Sequence, residues 1–149
     1  MNDKSLRLSF QVSIFIQIIT GIVSMYGFFI PLAEKDYVLY DVLKIESFVQ
    51  IIEGMWYFTL YYFLNQIRTN TIASKRYTDW YITTPIMLLV LVLAFLYNNK
   101  EGAFSFTSYL IILFFNYVML GFGYVGEIGL LEKNMANGLG FVGFAGMYY

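Results

Sequence analysis

The sequence contains no cysteine and no histidine. Without thiols there is no disulfide framework and no thiol nucleophile; without imidazole there is no histidine base and no zinc site of the usual ligand set. Charge is scarce too. Asp, Glu, Lys and Arg make up 13% of the 149 residues, where an ordinary soluble domain has about a quarter. Nine basic residues are offset by ten acidic ones for a net charge of -1, so nucleic acid has no electrostatic case as a partner. What fills the chain is apolar: 59% hydrophobic and 21% aromatic residues, with a mean hydropathy of +0.63. The composition excludes an ordinary soluble globular protein and makes the lipid bilayer the default partner. Any chemistry must run on carboxylates, hydroxyls or a borrowed cofactor. No metal site and no enzyme activity are expected.

A bilayer core of roughly 30 Å takes about 20 apolar residues of helix. Five segments fit. Leu8 to Ala33 carries no charge, and Ser47 to Ile67 carries only Glu53. A third run follows Arg76 and, apart from Asp79, stays uncharged to Asn99. A fourth spans Gly102 to Gly126, and a fifth begins near Asn134 and is still apolar at Tyr149. Short polar links separate them at Glu34 to Glu46, Arg68 to Lys75, Asn98 to Glu101, and Glu127 to Lys133, which makes sequential neighbours antiparallel. Continuous runs of this length are not the alternating pattern of barrel strands. The fold class expected is all-α, a polytopic transmembrane helical bundle, with residues 1–149 forming one domain. The first run is too long for a secretory core and lacks a small-residue cleavage signal, so it is read as a retained span. Six Lys and Arg on the N-terminal side against three on the other would place the N-terminus in the cytoplasm by the positive-inside rule.

Ionisable groups inside a span cost about 2.5–3.5 kcal/mol on insertion scales and need a partner or a function. Glu53 falls about 12 Å into a second helix starting near Ile45. It is either a protonated, hydrogen-bonded packing residue or a group lining an internal path for protons or ions. Asp79 lies one turn beyond Arg76 and could simply pair with it. The surrounding pattern says more. Arg76, Asp79, Trp80, Thr83, Met87 and Val90 recur at spacings of three or four, so one stripe presents a cation, a carboxylate, an indole and a hydroxyl, then apolar groups. Pro85 removes an amide donor from the next turn, while Thr83 and Thr84 supply hydroxyls that can satisfy freed carbonyls.

The run Arg76-Tyr77-Thr78-Asp79-Trp80-Tyr81-Ile82-Thr83-Thr84-Pro85 resembles the helix C signature of microbial (type I) rhodopsins, R-Y-x-D-W-x-x-T-T-P. The resemblance implies all-trans retinal as cofactor. Asp79 would be counterion and proton acceptor of its protonated Schiff base, Arg76 the electrostatic partner of the acid, Thr83 the hydroxyl bonded to the acid, and Trp80 a wall against the polyene. A cation in a low-dielectric pocket needs a nearby anion, and isomerisation alters that pairing enough to move a proton. Asn116 to Gly126, with Met119 and Gly123, is similar to the helix D pattern around the ionone ring, although its glycines alone are read more readily as helix packing. Asn116 is placed to hydrogen-bond Thr84, where the family usually has an acid. Thr84 and Met87 on the third helix, and Gly143 and Met147 on the fifth, complete the pocket that the resemblance implies.

Two departures bear on function. The position eleven after Asp79, where outward proton pumps of this family carry a carboxylate donor, is Val90. The retinal-attaching lysine of the family lies on its seventh helix, and none of Lys4, Lys35, Lys44, Lys75, Lys100 or Lys133 lies inside a span. Helices F and G are therefore expected beyond Tyr149. The family also places its N-terminus outside, and that orientation is preferred because Arg76 is then a site residue rather than a topology signal. Within the family, the short second link, Ser13 in the first helix and Glu53 in the second resemble the viral rhodopsins, and among them the viral light-gated cation channels. That likeness implies an ion pathway past Ser13 and Glu53, where a carboxylate favours cations. The alternatives are a light-driven outward proton pump, a sensory photoreceptor and a retinal-free membrane scaffold. Whether the protein forms a homo-oligomer stays open.

Overall fold

The computed structural model describes residues 3–64, 72–99 and 103–148. They form five α-helices: α1 Asp3–Gly27, α2 Val38–Tyr62, α3 Ile72–Asn98, α4 Phe106–Glu127 and α5 Lys133–Gly146, with a short 3-10 segment, Glu34–Asp36, before α2. No strand occurs among the described residues, so the all-α expectation holds. The ends of the second and third expected links and of the second span fall on residues 65–71 and 100–102, outside the described residues, as does Tyr149.

Helix length and composition separate the five. Lys4–Gly27, Ile72–Asn98 and Phe106–Glu127 are each long and apolar enough to cross a bilayer. At 1.5 Å per residue α2 is also long enough, about 37 Å, but Asp41, Lys44 and Glu46 load its first half with charge. α5, at 14 residues, covers only about 21 Å.

Two boundaries differ from the hydropathy reading. The first apolar run reaches Ala33, but its helix stops at Gly27. There the amides of Phe28, Phe29 and Ile30 turn to carbonyls three residues back, a tightening typical of helix ends, and Pro31 follows. The second helix begins at Val38, well before Ser47. Its first turns are charged yet helical because the Tyr40 hydroxyl donates to the Ile30 carbonyl and Lys44 pairs with Asp41 at 2.8 Å. Glu53 consequently lies about 22 Å along its helix rather than 12 Å.

The chain divides into two compact units, within residues 1–69 and 70–149. In the first, α1 and α2 pack along an antiparallel seam. Phe10 meets Tyr57 with ring centroids 5.9 Å apart, and the Gln11 amide donates to the Tyr61 hydroxyl at 3.1 Å. In the second, α3 packs on α4 and α4 on α5. Ser105 caps α4 by accepting from the Ser108 amide at 3.3 Å, as N-cap serines do. α4 ends in a Schellman turn: the Leu130 amide reaches the Val125 carbonyl and the Gly129 amide the Gly126 carbonyl. Gly129 supplies the left-handed φ of 78° that this turn requires. α5 then lies close against α4, since a Cβ on Gly143 would sit 2.8 Å from the Met119 amide nitrogen and 3.0 Å from the Phe115 carbonyl oxygen. Glycine here permits backbone-to-backbone contact.

Candidate functional site

Three buried polar side chains mark the interior of the second unit: Asp79 at 3% exposure, Thr83 at 0% and Asn116 at 1%. Asp79 and Thr83 are one turn apart on α3, and Asn116 lies on α4, where it bonds Thr84 of α3. In an apolar surrounding each must find a hydrogen bond or serve a ligand.

Pro85 organises this stretch. Lacking an amide hydrogen, it leaves the Tyr81 carbonyl without its helical donor. The Tyr117 hydroxyl of α4 donates to that carbonyl at 3.4 Å, and the two tyrosine rings stack with centroids 5.7 Å apart. The Tyr109 hydroxyl donates to the Pro85 carbonyl at 2.8 Å. Thr83 and Thr84 turn back within α3, donating to the carbonyls of Asp79 at 3.0 Å and Trp80 at 2.7 Å. The expected hydroxyl-to-acid bond of Thr83 is thus made to the backbone of Asp79 instead, because a threonine in a helix reaches the carbonyl one turn back most easily. The Asn116 amide donates to the Thr84 hydroxyl at 3.0 Å, the pairing anticipated from sequence.

Asp79 Oδ1 is buried and has no hydrogen-bond partner. Arg76, one turn before it, holds its guanidinium carbon 5.3 Å from the centroid of the Trp80 ring, and Tyr77 meets Trp80 edge-on at 5.1 Å. Beside them lies a cavity of about 380 Å³ whose walls include Trp80 and Thr84 of α3, Met119 and Gly123 of α4, and Gly140 and Phe144 of α5. That volume lies within the roughly 300–1,000 Å³ of small-molecule sites.

Of the residues singled out in the sequence, the cavity brings together Trp80, Thr84, Met119 and Gly123. Gly143 serves the α4–α5 crossing, Met87 is 51% exposed, and neither these nor Met147 is among the cavity walls. Sequence reasoning gave no cavity role to Tyr77, although it lies in the helix C signature, nor to Asn137, Phe141 and Phe144. Of these, Tyr77 had a readable signal, being one turn before Tyr81 and next to the Arg76 stripe. Ser13 and Glu53 are half-buried on α1 and α2 of the first unit. Among the described residues no cluster of His, Cys, Asp and Glu could hold a metal.

Long apolar helices carrying an internal carboxylate and an aromatic-walled cavity define an integral, polytopic helical membrane protein. The chain belongs to the bacteriorhodopsin-like protein family, whose model matches residues 9–149. It is similar to the crystal structure of viral rhodopsin OLPVRII, with a TM-score of 0.83 and 35% identity over 96% of this chain and 68% of that one. No curated protein matches the sequence. The family implies retinal as chromophore, and the residues present fit it: Asp79 carries an orphaned buried carboxylate oxygen, and Trp80, next in the chain, walls an aromatic cavity of suitable size.

Proposed function

We propose that the protein is a light-gated cation channel using all-trans retinal, with residues 1–149 as helices A to E of one rhodopsin domain whose lysine attachment lies on a seventh helix. The observation that carries the chromophore part is the buried, unpartnered Oδ1 of Asp79, one residue before Trp80, which walls a cavity together with Met119 and Phe144. When bound, retinal supplies a light-driven change of shape at a cationic centre. Asp79 would hold the negative charge that such a cation needs in a low-dielectric site and would be the residue placed to accept a proton from it. Arg76, stacked on Trp80, offsets the acid's charge from one turn away. Thr83 and Thr84 fix the backbone around Asp79, and Asn116 ties that turn to α4. Trp80 and Phe144 give the cavity apolar, aromatic walls.

The channel part rests on Ser13 and Glu53, half-buried polar groups on the packed helices α1 and α2, whose pairing resembles that of the viral light-gated cation channels. Cations then pass a carboxylate-bearing path, with the N-terminus on the extracellular side. The second reading, an outward proton pump, draws on Asp79 and loses support from Val90, which leaves no carboxylate eleven positions on. Reconstituting the full-length gene product with all-trans retinal tests the reading first. A visible absorption band is expected; a colourless protein would favour a retinal-free scaffold.

A further inference from the structure

A five-residue pattern occurs twice, as Gln17-Ile18-Ile19-Thr20-Gly21 in α1 and Gln50-Ile51-Ile52-Glu53-Gly54 in α2. The antiparallel packing of the two helices sets these patterns against each other. A Cβ on Gly54 would lie 3.5 Å from Gln17 Oε1, and one on Gly21 would lie 4.0 Å from Gln50 Oε1. Each glutamine therefore reaches over the other helix's glycine, where the missing side chain leaves room for an amide.

The space that remains is a cavity of about 540 Å³ between α1 and α2, with Gln17, Ser47 and Gln50 as its polar walls and Gly21 and Gly54 among its lining. Gln17 Oε1 and Ser47 Oγ are both buried and have no hydrogen-bond partner. Two such oxygens inside one cavity of a membrane helix pair are strongly unfavourable unless something in the cavity satisfies them. Their chemistry selects the occupant. Neutral amide and hydroxyl oxygens replace part of the hydration shell of a monovalent cation, whereas tight divalent sites recruit carboxylates.

We propose that this cavity is a transit site for a partly dehydrated monovalent cation, coordinated by Gln17 Oε1 and Ser47 Oγ with Gln50 completing the polar wall. The inference rests on the channel reading and extends it. Ser13 lies one turn before Gln17, and Glu53 one turn after Gln50, so the amide pair joins the two residues already assigned to the pathway along a single helix seam.

The test uses the full-length protein with retinal bound. Thermal bleaching of the visible band is followed in NaCl, in KCl and in N-methyl-D-glucamine chloride, and light-induced currents are recorded in cells. The wild type is expected to bleach at a higher temperature in sodium or potassium than in the bulky organic cation. Gln17→Met and the smaller change Ser47→Ala should each form pigment, lose that cation dependence, and pass roughly tenfold less current, the loss of one coordinating bond. A wild type with no cation dependence, or variants that keep both it and their currents, overturns the site. If cation dependence disappears in the variants while the wild type passes no passive current, cation binding at the site stands, but its transit role and the channel reading fail. Passive wild-type current that both variants retain in full gives the reverse.

Discussion

The side-chain amide of Asn116 on α4 donates to the hydroxyl of Thr84 on α3 at 3.0 Å, and Thr84 in turn donates to the Trp80 carbonyl at 2.7 Å. This relay ties the turn that carries Trp80 to the neighbouring helix. Asn116 is 1% exposed, so its amide has no solvent to fall back on. Asn116→Ala should lower stability by about 1 kcal/mol, in line with interhelical hydrogen bonds in membranes. The check is the thermal bleaching midpoint. An unchanged midpoint would show that the bond contributes nothing.

The Tyr117 hydroxyl serves the Tyr81 carbonyl, which Pro85 deprives of its amide donor. The two residues should therefore be coupled. Tyr117→Phe is expected to destabilise the wild type but to cost less in a Pro85→Ala background, where an amide again reaches Tyr81. A double-mutant cycle should give a coupling of at least about 0.5 kcal/mol; additive effects would separate the tyrosine from the proline.

Gly143 and Gly138 sit on the same helix in opposite circumstances. A Cβ on Gly143 would press on the backbone of Met119 and Phe115, while one on Gly138 meets nothing within 4 Å. Gly143→Ala should cost about 1–3 kcal/mol through overpacking. Gly138→Ala should be neutral or stabilising by up to about 1 kcal/mol from helix propensity. Equal effects in thermal denaturation would contradict the α4–α5 packing described here.

If Asp79 is the counterion proposed above, Asp79→Asn removes the anion that faces the chromophore while keeping the side chain's shape. The absorption band should move to longer wavelength, because the ground-state cation loses more stabilisation than the excited state, in which its charge has shifted away from the acid. An unmoved band would remove Asp79 from the counterion role.

Much of this was readable from residues alone, for physical reasons. The number of helices follows from apolar runs of membrane length, and the α3 stripe from Arg76 to Thr84 follows from helical spacing. The Asn116–Thr84 pairing was also legible, since two polar groups on neighbouring apolar helices have few other partners. Helix ends were less so: hydropathy reports membrane thickness, whereas α1 ends at Gly27 and α2 starts at Val38 because of backbone turns and the Tyr40–Ile30 bond. The direction of the Thr83 hydroxyl was not legible, because carboxylate and carbonyl are both within its reach. Nor was the division of labour among the α5 glycines: spacing cannot say that Gly140 lines a cavity while Gly143 touches a helix backbone. Even the Q-I-I-x-G pattern, present twice in plain letters, gains meaning only once α1 and α2 are seen antiparallel.

The central claim is passive, light-gated cation flow, and the voltage dependence of the light-induced current tests it most directly. In cells expressing the full-length protein with retinal, Glu53→Gln should reduce the current while leaving the pigment formed. For the wild type, the account predicts a reversal potential that follows the imposed cation gradient as sodium or potassium is varied on one side. A current that stays outward at every accessible voltage, whatever the gradient, would contradict it and make the protein a pump.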